Sequence, residues 1–236
     1  MKRTRPIVAI DGPAGSGKTT VSRLVAAALG YVVLDSGALY RTLALATSRA
    51  ALDPERNDLG PLCQEIVARG AIVLGASKEG GTRVWLDGED VSLSIRTPEM
   101  SSRASIVSAL PAVRAALLDL QRAIGQVGGV VVEGRDIGSV VFPDAEAKFF
   151  LTATMQSRAE RRFAELAKQP GAPSLGSVRA QVLERDRRDS ERAIAPLMQA
   201  EGAELLDSTH MGIDEVVDLI VKKVRQVEAQ LAAPSL

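Results

Sequence analysis

A short segment near the start of the chain combines three glycines, a lysine and a threonine in the order Gly-Pro-Ala-Gly-Ser-Gly-Lys-Thr. Glycines let successive backbone N–H groups turn toward one anion, and a helix beginning near Lys18 points the positive end of its dipole at it. Lys18 can reach the terminal phosphates of a nucleoside triphosphate, and the Thr19 hydroxyl suits Mg²⁺. The pattern predicts a triphosphate-binding loop formed by Gly12, Pro13, Ala14, Gly15, Ser16, Gly17, Lys18, Thr19 and Thr20.

The sequence on either side of this loop supports the same interpretation. Ile7–Ile10 is an apolar run typical of a buried strand, and Thr20–Leu29 has apolar residues at helical spacing and ends at Gly30. The alternative is a glycine-rich turn that matches by chance, and such a turn requires neither the strand nor the helix. We therefore expect a bound nucleoside triphosphate, although the loop leaves open which molecule receives the phosphate.

Composition narrows the class of protein. The 236 residues include 29 basic and 29 acidic ones, whereas a general binder of nucleic acid or membrane surfaces carries a basic excess. We therefore expect neither a nucleic-acid polymer nor a membrane as partner. Cys63 is the single cysteine, which excludes an intrachain disulfide and fits a reducing compartment. No apolar run approaches the roughly 18 residues of a membrane-spanning helix, so we expect a cytoplasmic protein.

Apolar segments that alternate with helical ones predict an α/β fold with a five-stranded parallel sheet and helices on both faces. Ligands of such sheets bind at the carboxyl ends of the strands, where this chain has small and charged residues. Turn formation explains Asp207-Ser208-Thr209, but it does not call for the arginine in Glu133-Gly134-Arg135-Asp136. The predicted strands are Ile7–Ile10, Tyr31–Leu34, Val130–Val132, Lys148–Leu151 and Glu204–Leu206.

The pattern changes between the second and third of these strands. Residues 71–75 and 82–87 are typical of short strands, with a hairpin turn at Lys78-Glu79-Gly80-Gly81. We expect an inserted antiparallel sheet with its own hydrophobic patch. Residues 97–126 are then helical, with a break at Pro111.

Two later helical stretches, 155–168 and 177–194, are rich in arginine. Arg158, Arg161, Arg162 and Glu165 fall at i, i+3, i+4 and i+7 and so share one helix face, and a second set repeats this spacing: Arg185, Arg188, Asp189 and Arg192. A solvated charged face is one explanation. Like charges repel at this spacing, and a bound polyphosphate would offset that repulsion. Spacing alone does not choose between the two.

Several further segments occur in an order that is specific to one family. They are Gly12–Thr20, Leu34–Arg41, Asp87–Ser92, Ile95–Thr97, Glu133–Gly138, Val141–Ala145 and Glu184–Asp189. On these segments the chain resembles the bacterial cytidylate kinases, which are nucleoside monophosphate kinases of the P-loop type. The resemblance implies transfer of the γ-phosphate of ATP to CMP or dCMP with Mg²⁺, giving ADP and CDP or dCDP, by a monomer.

The resemblance also implies an architecture and a set of site residues. Within a single kinase domain, residues 5–58 and 127–231 form the core, 59–126 a monophosphate-binding subdomain with the small sheet, and 155–175 a helical lid. The implied catalytic residues are Lys18, Arg158, Arg161 and Arg162. The implied CMP contacts are Ser105, Arg114 and Asp136 for the base, Ser36, Arg41 and Arg135 for the phosphate, and Arg185, Asp189 and Arg192 for ribose and phosphate.

Residue chemistry agrees with the implied base. Cytosine presents an amine donor beside two acceptors, which suit a carboxylate and a guanidinium such as Asp136 and Arg114. Glu133 occupies a strand end where related kinases often have Asp, and its longer side chain can reach Mg²⁺ through water, with Thr19 as the direct ligand. Two alternatives stay open: a kinase of this fold for UMP, AMP or a small metabolite, and a nucleotide-dependent switch that transfers no phosphate.

Overall fold

The computed structural model describes residues 3–76, 81–167 and 172–233, and its centre is one parallel sheet. The spatial order of the strands is β2–β6–β1–β7–β8. The five predicted strands and their parallel arrangement are confirmed, with small shifts at the strand ends. Their bounds are β1 Ile7–Asp11, β2 Val32–Asp35, β6 Val130–Gly134, β7 Ala147–Thr152 and β8 Glu204–Asp207.

Helices connect and cover these strands. Their bounds are α1 Lys18–Leu29, α2 Ser36–Arg49, α3 Gly60–Ala68, α4 Pro98–Val107, α5 Pro111–Gly125, α6 Met155–Leu166, α7 Leu175–Glu191 and α8 Ile213–Ala232. Helix α2 begins three residues before its predicted start because the Asp35 carboxylate accepts a hydrogen bond from Ala38 N (3.0 Å) and caps it. No single described helix is long and apolar enough to cross a membrane; only the bent pair α4 and α5 passes that test when combined.

The alternation of side chains along β1 explains why both faces of the sheet are covered. Ile7 and Ala9 point into a large hydrophobic core shared with α2, α3, α4 and α5. Val8 and Ile10 point to the opposite face, where α1 and α8 supply a second core. All four residues are fully buried, as expected for a parallel strand between two helical layers.

The small antiparallel sheet is also confirmed, with strands β3 Ile72–Ala76, β4 Thr82–Leu86 and β5 Glu89–Asp90. Most of its predicted hairpin turn, residues 78–80, lies outside the described residues. The expectation of a separate hydrophobic patch is wrong. Val84, Leu86 and Val91 belong to the large core on the α2 side, because the sheet packs against that helix and closes the same apolar volume.

Helix α3 was not predicted from the sequence. Its first turn contains Pro61, which is favourable at a helix start, and the Asp58 carboxylate accepts from Gly60 N at 2.9 Å. Its buried side has the spacing of an amphipathic helix, with Cys63 and Ile66 in the helix and Leu59 immediately before it. This nine-residue element carries few periodic positions, so the signal in the sequence is weak.

Helices α6 and α7 pack on each other and confirm the two predicted arginine-rich helices. They share a small hydrophobic core of Leu166, Val178 and Val182, which is separate from the two cores of the main sheet. Part of the predicted loop between them lies outside the described residues. A unit with its own core can move without disrupting the cores of the main sheet. The assignment of residues 155–175 as a lid stays a prediction.

Asp11 joins the end of β1 to the turn that follows β6. Its two carboxylate oxygens accept hydrogen bonds from Ile137 N and Gly138 N, both at 2.8 Å. Burial raises the pKa of this carboxyl from its usual 3.8 to about 6, although the two N–H donors oppose the shift. The folded protein therefore holds a proton on Asp11 in a pH range where the unfolded chain has lost it.

We predict that the stabilising contribution of Asp11 falls as pH rises from about 4 to about 6, by on the order of 2–3 kcal/mol. The test is the difference in unfolding free energy between wild type and Asp11→Asn, from urea titrations across that range. Asp144→Asn is the control. Because Arg3 lowers the pKa of Asp144, the difference in unfolding free energy between wild type and Asp144→Asn should stay nearly constant over the same pH range. A pH-independent difference for Asp11→Asn would contradict the prediction.

Candidate active site

A cleft of about 760 Å³ opens at the carboxyl ends of β1, β2 and β6. Its walls come from the phosphate-binding loop, the start of α2, one face of α4 and one face of α7. It brings together most of the predicted site residues: Ala14, Gly15, Gly17, Lys18, Thr19, Thr20, Ser36, Arg41, Ser105, Glu133, Arg135, Asp136, Arg162, Arg185, Asp189 and Arg192. Six others do not line it: Gly12, Pro13, Ser16, Arg114, Arg158 and Arg161.

Close packing explains two of the loop glycines. A Cβ on Gly12 would lie 2.0 Å from the carbonyl oxygen of Leu151 in β7, and one on Gly15 would lie 2.7 Å from the carbonyl oxygen of Arg158 in α6. Gly17 has open space but adopts φ 92°, which favours glycine, immediately before α1 begins at Lys18. The loop is therefore held between the sheet and α6.

Lys18 is buried at the base of the loop, with 6% of its surface exposed. Its Nζ donates to Pro13 O (2.7 Å) and to Ser16 Oγ (3.2 Å). Burial and the nearby Arg135 cation hold the pKa of Lys18 well below its usual 10.5. An anion in the cleft would favour the charged form of this side chain.

The donor set beside Lys18 fits a magnesium ion. Thr19 Oγ1 donates to Glu133 Oε2 (3.1 Å), while Glu133 Oε1 is buried without a hydrogen-bond partner. Burial and the adjacent Asp35 carboxylate raise the pKa of Glu133 to about 7. A threonine hydroxyl and a carboxylate are oxygen ligands of the kind Mg²⁺ takes beside substrate phosphates. Thr19 would hold the ion directly, and Glu133 would hold it through water.

The start of α2 carries a second group of polar side chains that face the cleft. Ser36 Oγ donates to Glu133 O (2.7 Å), and Arg41 Nη2 donates to Asp35 Oδ2 (2.7 Å). Burial opposes ionisation of Asp35, but the Arg41 guanidinium outweighs it and lowers the pKa. The Nε of Arg41 is buried without a partner, so this guanidinium keeps a donor free for a ligand.

The far wall of the cleft is built around Asp136. Arg114 Nη2 donates to one carboxylate oxygen of Asp136, and Arg192 Nη2 donates to the other at 3.1 Å. Arg114 reaches this carboxylate from α5 and also donates to Ser108 O (3.3 Å). All three charged side chains are less than 10% exposed. The predicted pairing of Asp136 with Arg114 is present, and Arg192 joins it.

A second buried carboxylate, that of Asp189 on α7, lies close to three more of the residues predicted to contact CMP. Ser105 Oγ donates to Asp189 Oδ1 (3.1 Å), Arg135 Nε donates to Oδ2 (2.8 Å), and Arg185 Nε lies 3.8 Å from Oδ2. Burial and the Arg135 cation lower the pKa of Arg185 to about 9. The excess of cations over carboxylates here favours a bound anion.

Two further residues that line this cleft were given no substrate contact from the sequence, although Arg188 was placed on the arginine-rich face of its helix. Tyr40 lies four residues after Ser36 on α2, and the Arg114 guanidinium is 5.7 Å from its ring. Arg188 follows Arg185 by three residues on α7, and its Nε is buried without a hydrogen-bond partner. Helical spacing from Ser36 could have assigned Tyr40 to the cleft, just as it placed Arg188 on one face with Arg185.

The three arginines of α6 are not equivalent. Arg162 lines the cleft, whereas Arg158 donates to Ala14 O (3.0 Å) and Arg161 donates to Ser208 O (2.6 Å). The segment Asp207-Ser208-Thr209 is therefore a turn in which the Ser208 carbonyl oxygen also accepts a hydrogen bond from Arg161. Contact of Arg158 and Arg161 with phosphates requires α6 to move, and that role stays a prediction.

The fold and the cleft around its phosphate-binding loop define a phosphotransferase of the P-loop kinase class. A model of the cytidylate kinase family matches residues 8–226, and the chain belongs to that family. A cytidylate kinase of Syntrophotalea carbinolica is 49% identical over 231 residues, covering 97% of this chain and 95% of the relative. One of Geobacter sp. strain M21 is 46% identical over 225 residues, covering 95% and 94%.

Among solved structures, an uncharacterized protein from Eubacterium ventriosum superposes with a TM-score of 0.52. The match covers 94% of this chain and 99% of that chain at 10% identity, so it supports the fold alone.

We predict that Glu133→Gln stabilises the protein and impairs its activity. Burial disfavours the charged carboxylate, so replacing it should stabilise the protein at about pH 8. We expect a higher Tm and an unfolding free energy that is larger by on the order of 1–3 kcal/mol. The magnesium concentration needed for activity should rise about 10–100-fold. Thermal unfolding and a magnesium titration of turnover measure the two effects. Glu204→Gln, an exposed change at another strand, is the control; a lower Tm for Glu133→Gln would refute the prediction.

Proposed function

We propose that this chain transfers the γ-phosphate of ATP to CMP or dCMP, giving ADP and CDP or dCDP. The observation that carries the proposal is the buried Arg114–Asp136–Arg192 cluster in the wall of a cleft that also contains the phosphate-binding loop. The relatives of 46–49% identity are cytidylate kinases. A coupled assay of ADP formation with CMP, dCMP, UMP and AMP tests the proposal.

The base-reading chemistry follows from hydrogen-bond types. Each carboxylate oxygen has two acceptor sites, so Asp136 can accept the exocyclic amine of cytosine while it keeps Arg114 and Arg192. The guanidinium groups can donate to ring N3 and O2 of the same base. Uracil places a carbonyl where cytosine has its amine, and that carbonyl would face the carboxylate. Ser105 adds a hydroxyl to the lining of the cleft.

The acceptor phosphate is assigned to the space between α2 and the end of β6. Ser36, Arg41 and Arg135 supply a hydroxyl and two guanidinium groups there. Arg185, Asp189 and Arg192 on the α7 side would hold ribose and phosphate. Charge-assisted bonds of this kind are the strong ones among hydrogen bonds in proteins. This arrangement separates the acceptor contacts from the donor contacts of Gly12–Thr20.

Phosphoryl transfer needs in-line positioning and charge neutralisation more than covalent chemistry by the protein. Lys18 and Arg162 both line the cleft and would neutralise the transferring group. Magnesium bound at Thr19 would supply further charge neutralisation. The acceptor phosphate is already ionised near neutral pH, so no general base is assigned. Closure of the α6–α7 pair would exclude water that could otherwise receive the phosphate.

Two other functions make different predictions in the same assay. A kinase for UMP, AMP or a small metabolite would form ADP with that acceptor and not with CMP. A nucleotide-dependent switch would bind nucleotide stoichiometrically without acceptor-dependent ADP formation. The second cluster of arginines, around the buried carboxylate of Asp189, favours a separate phosphorylated acceptor over a switch.

We also propose a setting for this activity. Cys63 is a buried free thiol, as is usual in a reducing compartment such as the cytoplasm.

Lys18→Met should lower turnover on the order of 10²–10³-fold, the scale typical for loss of one preorganised donor to a transition-state charge. Tm should not fall, because burial already disfavours the ammonium form. Steady-state kinetics and thermal unfolding measure the two effects, with Lys223→Met at an exposed site as the control. Turnover near that of the wild type would remove Lys18 from the mechanism.

Base choice gives the sharpest test of the acceptor site. In the wild type, kcat/KM for CMP and dCMP should exceed that for UMP by about 10–100-fold, the scale of an unpaired buried polar group. Asp136→Asn should narrow this gap, since its amide can donate to O4 of uracil. Asp144→Asn, an exposed change, should leave the ratio unchanged. Equal use of UMP by the wild type, or an unchanged ratio in Asp136→Asn, would refute the assignment.

A further inference from the structure

The backbone N–H and C=O groups of Ala14, in the phosphate-binding loop, both form hydrogen bonds with the Arg158–Asp186 ion pair. Its N–H donates to Asp186 Oδ1 (3.3 Å), and its carbonyl oxygen accepts from Arg158 Nη1 (3.0 Å). Arg158 Nη1 also donates to Asp186 Oδ2. The three groups therefore form a closed ring of hydrogen bonds between the loop and two side chains.

The two side chains come from the two helices of the α6–α7 pair. Arg158 lies on α6 and Asp186 on α7, and Arg158 is further fixed by donating from Nε to Ala153 O (3.0 Å). Arg158 is buried with 7% of its surface exposed, and 18% of the Asp186 side chain is exposed. The loop is in direct contact with α6 as well, since Gly15 has no room for a Cβ beside Arg158 O.

Neither Arg158 nor Asp186 lines the cleft, whereas Ala14 does. Any effect of the pair on a nucleotide must therefore act through the loop backbone, which is the part of a P-loop that cradles the phosphates. We infer that Arg158 and Asp186 are a positioning pair that holds the loop in the conformation that binds the donor nucleotide. The inference rests on the proposed function only in taking an adenine nucleotide as the donor.

This role differs from direct contact between Arg158 and the transferred phosphate. A pair that shapes the loop affects ADP and ATP alike, because the loop holds phosphates that both share. Direct contact with the γ-phosphate affects ATP and turnover but not ADP. Because the three groups bond to one another, each substitution weakens the contacts of the other side chain, so the losses in the two single variants should not add in the double variant.

The experiment uses the full chain with Asp186→Asn, Arg158→Gln and the double variant. Isothermal titration gives Kd for ADP, for a non-hydrolysable ATP analogue and for CMP, and steady-state assays give kcat at saturating nucleotide. Arg187→Gln and Glu191→Gln are matched controls on α7, because these residues form an exposed ion pair (3.0 Å) that does not line the cleft. Thermal unfolding of each variant shows that it is folded.

We expect each single variant to raise Kd for ADP and for the ATP analogue by the same factor, about tenfold. Kd for CMP should stay within about twofold of the wild type in each variant, and kcat at saturation should do so in Asp186→Asn. The double variant should bind ADP no more weakly than the weaker single variant. The control variants should match the wild type. Because ADP binding needs no acceptor, this result is obtained even if CMP is not the substrate.

Three outcomes would overturn the inference: wild-type affinity for ADP in a folded Asp186→Asn, a loss confined to the ATP analogue, or additive losses in the double variant. If Asp186→Asn does not fold, the Arg158→Lys variant provides the test. Lysine keeps the positive charge, but it lacks the planar fork with which arginine bonds two partners at once. Wild-type ADP affinity in Arg158→Lys would then overturn the inference. A wild-type protein that binds no adenine nucleotide would overturn the donor assignment itself, before any variant is compared.

Discussion

The register of the three central parallel strands is the constraint on which the rest of the structure depends. Glu133 of β6 lies beside Ile10 of β1 on one side and beside Asp35 of β2 on the other. The three strands therefore end at one level, and the segments that follow them meet in one cleft. A shift of one residue would turn the buried side chains of β6 to the opposite face, which both hydrophobic cores oppose.

The cleft concentrates buried charge at these strand ends. Lys18 and Arg185 have lowered pKa values, and Glu133 and Asp11 have raised ones, because burial disfavours the charged form of each. Elsewhere in the site, the buried carboxylates of Asp136 and Asp189 are compensated by two arginines each. The arrangement costs stability in the absence of a ligand, and polyphosphate and metal would relieve it. Stability and activity are therefore opposed at positions such as Glu133.

Helices α6 and α7 connect to the rest of the molecule differently from the other helices. Their shared core is small and separate. Their contacts with the loop are hydrogen bonds of Arg158, Arg161 and Asp186 and the close approach of Gly15 to the α6 backbone. Polar contacts of this kind can exchange with ligand or water at little net cost, whereas large apolar interfaces cannot. This makes the pair suited to closure over the cleft, and it also connects any such motion to the conformation of the phosphate-binding loop.

Much of the fold and of the site follows from local sequence. Gly12–Thr20, the five apolar strands and the charged strand ends are signals within a few residues, because turn chemistry, alternation and helical period act locally. Asp136 with Arg114, and the acceptor residues around Asp189, came from family resemblance and are brought together by the fold. Prediction was wrong where the local signal was weak: α3 was not predicted, and the small sheet was expected to have a hydrophobic core of its own.

Tertiary structure decided which charged residue faces which partner. Three arginines share one face of α6 by spacing, yet Arg162 lines the cleft while Arg158 and Arg161 bond to backbone carbonyls of the loop and of the turn after β8. Asp186 has no local signal that distinguishes it from its neighbours on α7. These outcomes depend on how α6 and α7 sit against β7 and the loop, and helical periodicity carries no information about the direction from which a distant strand approaches.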